Sequence, residues 1–428
     1  MKKLLYFILI VLTFGLVTFL ILKNEPEPSF NPERNFIEGQ EEIILTKFLT
    51  AKDSTIIELD EGHFKLSQSL SLNGLNHVTI RGKGIDKTVL SFKGQTKGAE
   101  GILISNCKNI TLENLTVEDA KGDNVKFMEC DSIIIRKVQA NWTGKVSKFN
   151  GAYALYPVMC NNVLIDSCRA IGSSDVGIYV GQSNNVVVSN SEAFYNVGGI
   201  ENENTQNMKI FNNDVHDNVA GILVFDLPGL TNNTKNVEVY NNKVYNNNIR
   251  SFAPKGTIAG QVPTGCGSVI VGSEDVHFYD NEFTDNKTGG IFLVSYESIY
   301  QAGKISEAEE KDEDGTHNIG NLENLNNEYK TDEKFQPYSR NIKFSLNQFS
   351  NKHWFPTINN VFGIIMLTKS PFKYNNLVWD GAIGPNQKSS DEVFCITENA
   401  AKNTSFISLD ILNDFKKLTR DVSQYVCK

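Results

Sequence analysis

The sequence has little of what several functional classes need. Base does not exceed acid: 41 Lys and Arg stand against 50 Asp and Glu, a net charge of −9. A nucleic-acid binder would carry a basic face, so that class is disfavoured. The six histidines are scattered singly, which leaves a transition-metal centre without a ligand set. No stretch of the main body repeats apolar residues in paired amphipathic helices, and there is no Leu-x-x-Leu-x-Leu frame. Helical bundles, helical solenoids and leucine-rich solenoids are therefore excluded. Proline is sparse, at 11 residues, whereas Gly numbers 32 and Asn makes up about one residue in nine. Asn tolerates left-handed backbone in tight turns and can ladder through its amide. The composition points to a repetitive, turn-rich fold.

Lys2 and Lys3 precede an uncharged run over residues 4–22, long enough to span a bilayer as a helix with its N-terminus inside. Residues 18–23 offer no small-x-small cleavage site, and no Cys follows the run. An uncleaved anchor is therefore favoured over a cleaved signal, and lipoprotein processing is unsupported. Either way residues 36–428 are expected outside the cytoplasm. Residues 23–35, with Glu25-Pro26-Glu27-Pro28, read as an extended tether. Seven cysteines in an exported chain leave at least one unpaired. Cys395 and Cys427 flank the final segment and are expected to form a disulfide, while Cys107, Cys130 and Cys160 are expected to be buried thiols.

A short phrase recurs, polar-Asn-apolar-x-apolar, as in Lys108-Asn109-Ile110, Asn161-Asn162-Val163, Asn184-Asn185-Val186 and Gln206-Asn207-Met208. A second element, Gly-Ile, recurs at Gly177, Gly199 and Gly221, 22 residues apart, and again at Gly290. Alternating strands in a period near 22 predict a parallel β-helix, in which each coil adds one rung to each sheet. Asn190, Asn212, Asn241, Asn281 and Asn347 are read as equivalent turn positions. Cys107, Cys130 and Cys160 lie at one place in their coils and should stack. Residues 41–50 read as a helix capping the open N-terminal end.

The order TIIELDEGHFKL, SLSL, HVTIRGKG over residues 55–84 resembles the opening of the pectin-lyase-like right-handed β-helix superfamily. Residues 151–230, with GAYALYPV, GIYVGQS, GGIENEN and GILVFDLPGL, resemble bacterial parallel β-helix domain proteins. The resemblance covers about residues 50–300 and implies an all-β fold, a single right-handed parallel β-helix solenoid with an N-terminal helix cap and a C-terminal cap. The solenoid is expected over residues 36–370, with loop insertions at 141–151, 249–265 and 295–340, and the cap over 371–428 with a short helix near 411–418. For activity the resemblance implies little, because the superfamily holds lyases, hydrolases, uronate epimerases, tailspikes and non-enzymatic accessory proteins. The Asn-Thr-Asp, Asp-Asp and Gly-His-Gly elements of polygalacturonase-like hydrolases are missing here, as is the Asp-Pro-His element of mannuronan epimerases.

In a β-helix, substrate lies along an outer face. Taking Val125, Leu155, Ile178, Ile200, Ile222, Val269 and Ile291 as one inward column, the next position gives the outward column Lys126, Tyr156, Tyr179, Glu201, Leu223, Ile270, Phe292. Two residues on, it reads Met128, Val158, Gly181, Glu203, Phe225, Gly272, Val294. Lys126, Tyr156, Tyr179, Glu201 and Glu203 should share one exposed patch, edged by Asp123 and Asp175 on one side and Asp226 on the other. The last coils present apolar surface, which predicts cover by a long loop. Tyr offers flat surface for a sugar and can transfer a proton, and paired carboxylates suit a glycosidase or Ca²⁺. His216 reads as a turn residue. Trp142 and Lys145 in the first insertion and Arg250 in the second are expected to wall the patch with aromatic surface and positive charge.

These residues favour an acidic polysaccharide as partner, with Tyr179 and Tyr156 as the proton-transferring groups of a uronate lyase or C5-epimerase and Ca²⁺ as a candidate cofactor. The alternatives are a non-enzymatic binding or accessory scaffold, and a glycoside hydrolase using Glu201 with Asp175 or Asp226.

Overall fold

A computed structural model of the chain describes residues 27–306, 322–358 and 361–427. Three parallel sheets wind together along its length. Sheet 1 has eleven strands, from Gln68–Asn73 to Phe406–Ser408. Sheet 2 runs from Ile56–Glu58 through Asn184–Ser189 to Phe394–Ile396, and sheet 3 from Phe36–Ile37 through Glu192–Phe194 to Gln348–Ser350. The chain is an all-β parallel solenoid.

Ile178 lies beside Ile200, and Ile200 beside Ile222, so the 22-residue spacing is one coil. Both residues of each Gly-Ile pair turn inward. A Cβ on Gly199 would meet Val215 Cγ1 at 2.3 Å, and one on Gly221 the Gly267 carbonyl oxygen at 2.3 Å, so only glycine fits there. Beside this column runs an interior amide ladder. Asn196 Nδ2 donates to Asn218 Oδ1 at 3.0 Å, Asn218 to Asn247 at 2.9 Å and Asn247 to Asn286 at 3.1 Å. A second ladder joins Asn213, Asn242, Asn281 and Asn347 at 2.9 Å per step. Each buried amide thereby finds a partner in the next coil, as burial of a polar group requires.

The turn column needs a correction. Asn190, Asn212 and Asn241 hold left-handed backbone, φ 50°, 57° and 54°, whereas Asn281 and Asn347 belong to the interior ladder one residue further on. Asp280 and Leu346 take the left-handed place in those coils. Two adjacent positions with different demands both select Asn. Cys107, Cys130 and Cys160 are buried free thiols in one stack, which continues as hydroxyls: the Cys160 amide donates to Ser183 Oγ at 3.0 Å and the Ser183 amide to Thr205 Oγ1 at 2.9 Å.

The N-terminal helix Glu41–Leu49 presses Ile44 and Phe48 onto the open core. At the other end the strands continue beyond residue 370: Leu377–Trp379 and Phe406–Ser408 extend sheet 1 and Phe394–Ile396 extends sheet 2. Phe394, Trp379 and Tyr425 then plug the core, with Phe394 and Tyr425 stacked at 5.0 Å. Cys395 and Cys427 form the disulfide, Cα to Cα 4.9 Å. The helix expected near residues 411–418 is only the 3₁₀ turn Ile411–Asn413.

The long insertion after the Gly289–Val294 strand of sheet 1 carries helices of its own. Helices Tyr296–Ser306 and Leu322–Thr331 flank residues 307–321, which lie outside the described residues. Together with helix Val361–Lys369 they cover the late coils: Leu223, Phe225, Val269, Phe292 and Val294 form a second core with Leu322, Leu325, Phe335 and Met366. The anchor expected over residues 1–22 also lies outside the described residues, among which no helix is long and apolar enough to cross a membrane.

Candidate functional site

The register of sheet 1 decides which side chains meet. Lys126 pairs with Tyr156, Tyr179 with Glu201, and Glu201 with Leu223, so one outward column runs through these coils at about 4.8 Å per rung. Further along, the expected column is one residue out of step. Ser268 is the partner of Ile222 and points inward, and Val269 and Val271 are the outward residues in place of Ile270 and Gly272. The 249–265 insertion breaks the period there, and a slip of one residue exchanges the faces of a strand.

The early coils gather an acidic and aromatic cluster. Tyr153, Tyr156 and Tyr179 pack ring on ring, with centroids 4.3 Å apart for Tyr153 and Tyr179, 4.6 Å for Tyr153 and Tyr156, and 5.0 Å for Tyr156 and Tyr179. The Tyr179 hydroxyl donates a short hydrogen bond to Glu203. Lys126 Nζ sits 4.7 Å over the Tyr156 ring and 3.8 Å from Asp123, whose carboxylate accepts the Tyr153 amide at 3.2 Å. Contrary to the expected exposed patch, the cluster is sunken. Tyr156 and Tyr179 are buried, Glu201 is 4% exposed, and Asp123, Asp175, Tyr153 and Glu203 are half-buried.

Burial sets the protonation of this group. It pushes Asp175 up to about 7, with the Glu203 charge adding to the shift and the Tyr153 hydroxyl opposing it. Glu203 is likewise raised to about 7 by burial, against the hydrogen bond from Tyr179. Glu201 lies well above the usual carboxylate range, through burial and then the charges of Glu203 and Asp175. Burial raises Asp123 to about 6, with Lys126 opposing. The Tyr153, Tyr156 and Tyr179 hydroxyls are pushed up by burial and by the surrounding carboxylates.

Tyr153 was not anticipated. Strict alternation would turn it inward with Leu155, but Ala154 and Leu155 both enter the core, as the Gly-Ile pairs do one coil later, and Tyr153 is left outside. That doubled inward step is the signal that could have found it.

Several expected members stand elsewhere. Trp142 is buried in the main core, its indole Nε1 donating to the Ala120 carbonyl at 2.8 Å. Lys145 is exposed, 3.3 Å from Glu27. Arg250 lies exposed on the 249–265 insertion, and Lys126 is the cation that acts on the cluster. Asp226 is buried but engaged, accepting the Thr234 amide at 2.7 Å and the Asn233 side chain at 3.4 Å, so it shapes the loop after its strand. Its carboxyl is raised to about 7 by burial. Among the described residues no three His, Cys, Asp or Glu side chains converge to hold a metal ion, so the Ca²⁺ expectation has no ligand set behind it. His216 is no loose turn residue: it stacks between Phe194 at 5.2 Å and Tyr245 at 4.8 Å on sheet 3, and bonds Asp217 at 2.8 Å.

A separate open cavity of about 550 Å³ lies on sheet 2, lined by Gln206, Asn207, Lys235, His277 and Lys343 among others. It shares no residue with the cluster.

The family model described as a right-handed β-helix region matches residues 100–248 and 139–303. Among solved structures the chain is similar to the A-module of a mannuronan C-5 epimerase from Azotobacter vinelandii, at 11% identity and TM-score 0.47, over 82% of this chain and 92% of that one. An alginate lyase from Paenibacillus matches at 13% identity and TM-score 0.43, over 73% and 94%. A surface protein and adhesin of Streptococcus pneumoniae matches at 12% identity and TM-score 0.44, over 79% and 82%. Neither identity nor superposition is close enough to carry a function across. No curated protein matches the sequence.

Proposed function

We propose, from the premise that this chain is a right-handed parallel β-helix protein, that it is carbohydrate-active and hydrolyses neutral glycosidic bonds at the cluster on sheet 1. The observation that carries the reading is the contact of three tyrosine rings beside carboxyl groups poised near neutral pH, Asp175 and Glu203 both at about 7. Aromatic rings give a sugar flat apolar surface, and carboxyl groups split between acid and base at working pH are what glycoside hydrolysis requires.

Glu201, buried and raised well above the usual carboxylate range by that burial and by the charges of Glu203 and Asp175, serves as the acid. It gives its proton to the glycosidic oxygen as the bond to the anomeric carbon breaks. Asp175, which the Tyr153 hydroxyl helps to ionise, takes the proton of the attacking water. Glu203, which accepts the Tyr179 hydroxyl, adds its charge to the burial that raises Glu201.

The acidic-glycan reading is less well supported. Lys145 is tied to Glu27, Arg250 is not among the groups that shift the carboxyls, and Lys126 alone is left to draw in an anionic chain. Tyrosines whose hydroxyls are pushed above their ordinary range are also poor bases for the C5 proton at neutral pH. The disulfide and the uncharged run over residues 4–22 support an extracytoplasmic, anchored placement.

The test is incubation of the full chain with a panel of neutral and uronate glycans. New reducing ends from a neutral glycan are expected, with turnover reduced by about 10²-fold or more in Glu201→Gln. Unsaturated products would establish a lyase and inversion at C5 an epimerase, either of which overturns hydrolysis. Retention without turnover would leave a binding scaffold, and neither retention nor turnover would remove the carbohydrate reading altogether.

A further inference from the structure

Chain passing from sheet 3 to sheet 1 makes one long edge of the solenoid, and three of its connections there are enlarged, at residues 141–152, 246–265 and 351–376. In a chain of net charge −9, these three contain seven Lys and Arg and not one Asp or Glu, although Lys145 and Lys352 meet Glu27 and Asp285 from adjoining chain. They also carry large apolar side chains turned to solvent. Phe149 is 81% exposed with Lys148 over its ring, Trp354 is 77% exposed, and Phe372 is 69% exposed against Phe355. Helix Val361–Lys369 is apolar on both sides. Phe362 and Met366 pack on sheet 1, yet Val361 and Ile364 face solvent where a surface helix ordinarily places charge.

The tether reaches the body at this same edge. Ser29–Phe30 pairs antiparallel with Gly144–Lys145, Phe30 meets the Phe194 ring at 6.4 Å, and Arg34 bonds buried Glu118 at 2.9 Å. Residues 23–26 separate the uncharged run from the first described residue, at most roughly 17 Å of extended chain.

From this we infer that the sheet 3 to sheet 1 edge is a membrane-contact surface, on which the solenoid lies lengthwise against a bilayer bearing anionic headgroups. Exposed Trp and Phe beside Lys are the side chains that partition into the interfacial layer, and Lys and Arg near the surface are drawn to anionic lipid. The occupant is a bilayer and not a folded partner because the cations and aromatics are strung along three successive insertions and not gathered in one concave patch. Sheet 1 then faces sideways, leaving the tyrosine cluster open to a glycan. The inference does not depend on what that cluster does.

Tryptophan provides the readout. Trp142 and Trp379 are buried, so Trp354 reports the edge. The full chain is reconstituted into vesicles of phosphatidylcholine alone or with an equal part of phosphatidylglycerol, each containing brominated lipid. Quenching of Trp354 is expected in the anionic vesicles, several-fold above the zwitterionic ones, weakened by salt and lost in Trp354→Phe. Arg250→Glu with Lys373→Glu, on two different insertions, should cut the quenching by roughly tenfold while leaving the melting temperature unchanged. Vesicle-bound chain with Trp354 unquenched would overturn the inference. So would quenching blind to lipid charge, or burial of Trp354 that rises with protein concentration without lipid, which would mean self-association.

Discussion

The outer face of sheet 1 is two surfaces on one scaffold. In the coils through Glu203 it presents Lys126, Tyr156, Tyr179, Glu201 and Glu203; from Ala220 onward it presents Leu223, Phe225, Val269, Val271, Phe292 and Val294. Beneath the boundary between the halves the interior runs on, with Gly-Ile steps at Gly199 and Gly221 and an asparagine ladder from Asn196 to Asn286. The change comes within one rung, between Glu201 and Leu223. A repeating interior therefore imposes no outer chemistry: one substituted column separates a face that recruits helices to cover it from one that stays open. Both halves are sunken, but the apolar half is buried by matching surface, whereas burial of the polar half raises its carboxyl groups toward the neutral form.

This contrast can be broken at its strongest point first. Phe292, fully buried and 5.9 Å from the Phe362 ring, anchors the cover. Phe292→Ala is expected to cost about 3–5 kcal/mol, seen as a lower melting temperature and faster protease cutting within helix Leu322–Thr331. Asn218→Ala strikes the ladder common to both halves. It leaves the Asn196 amides and the Ala193 carbonyl without their partner, at an expected cost of about 2–4 kcal/mol. Hydrogen exchange should then rise on either side of the coil, and a rise confined to one half would show that the interior is not shared.

Converting one half to the other comes next. The double variant Glu201→Leu with Glu203→Phe makes the polar column read like its neighbour. It should stabilise the protein at pH 8 by on the order of 2 kcal/mol while abolishing glycan turnover. The sign follows from the raised carboxyls. Asp175 and Glu203 titrate near 7 when folded and near 4 when unfolded. The folded state thus holds protons that the unfolded state has lost, so the contribution of these two groups falls as pH rises from about 4 to about 7 and is flat above. Melting curves against pH should show that decline in the parent chain and a shallower one in the double variant.

The smallest effect is the control on sheet 3. Burial disfavours charge on His216, but hydrogen bonds and charges from Asp217 and Glu192 win and raise it to about 9. Its contribution is full below about 6.5 and is lost as pH rises through 9. His216→Phe keeps the stack between Phe194 and Tyr245 and should change stability by about 1 kcal/mol or less at pH 6, with no effect on sheet 1.

Much of this was legible in local pattern. The coil length, the cysteine stack, the disulfide, the N-terminal cap and the apolar late coils could all be read from spacing. What escaped has common physical causes. Tyr153 and the Val269 register were lost because two residues in a row turn inward, or because an insertion resets the count, and period-two reasoning allows neither. Trp142 and Lys145 were assigned by neighbourhood in sequence, yet the connection that holds them turns Trp142 into the core and Lys145 toward Glu27. Exposure was misjudged because outward on a strand was equated with solvent.

The solenoid is written in the repeat, since each coil makes the same Asn, Gly and alternating apolar demands, and nearest-neighbour stacking turns that repetition directly into fold. Packing between coils added Tyr153 to the four carboxyls and two tyrosines that the rung count brings together, sank the group below the surface, and aligned three insertions far apart in the chain along one edge. Those groupings depend on register between coils and on what covers a face, and both are set by packing between stretches of chain that lie one or several coils apart, which no local spacing records.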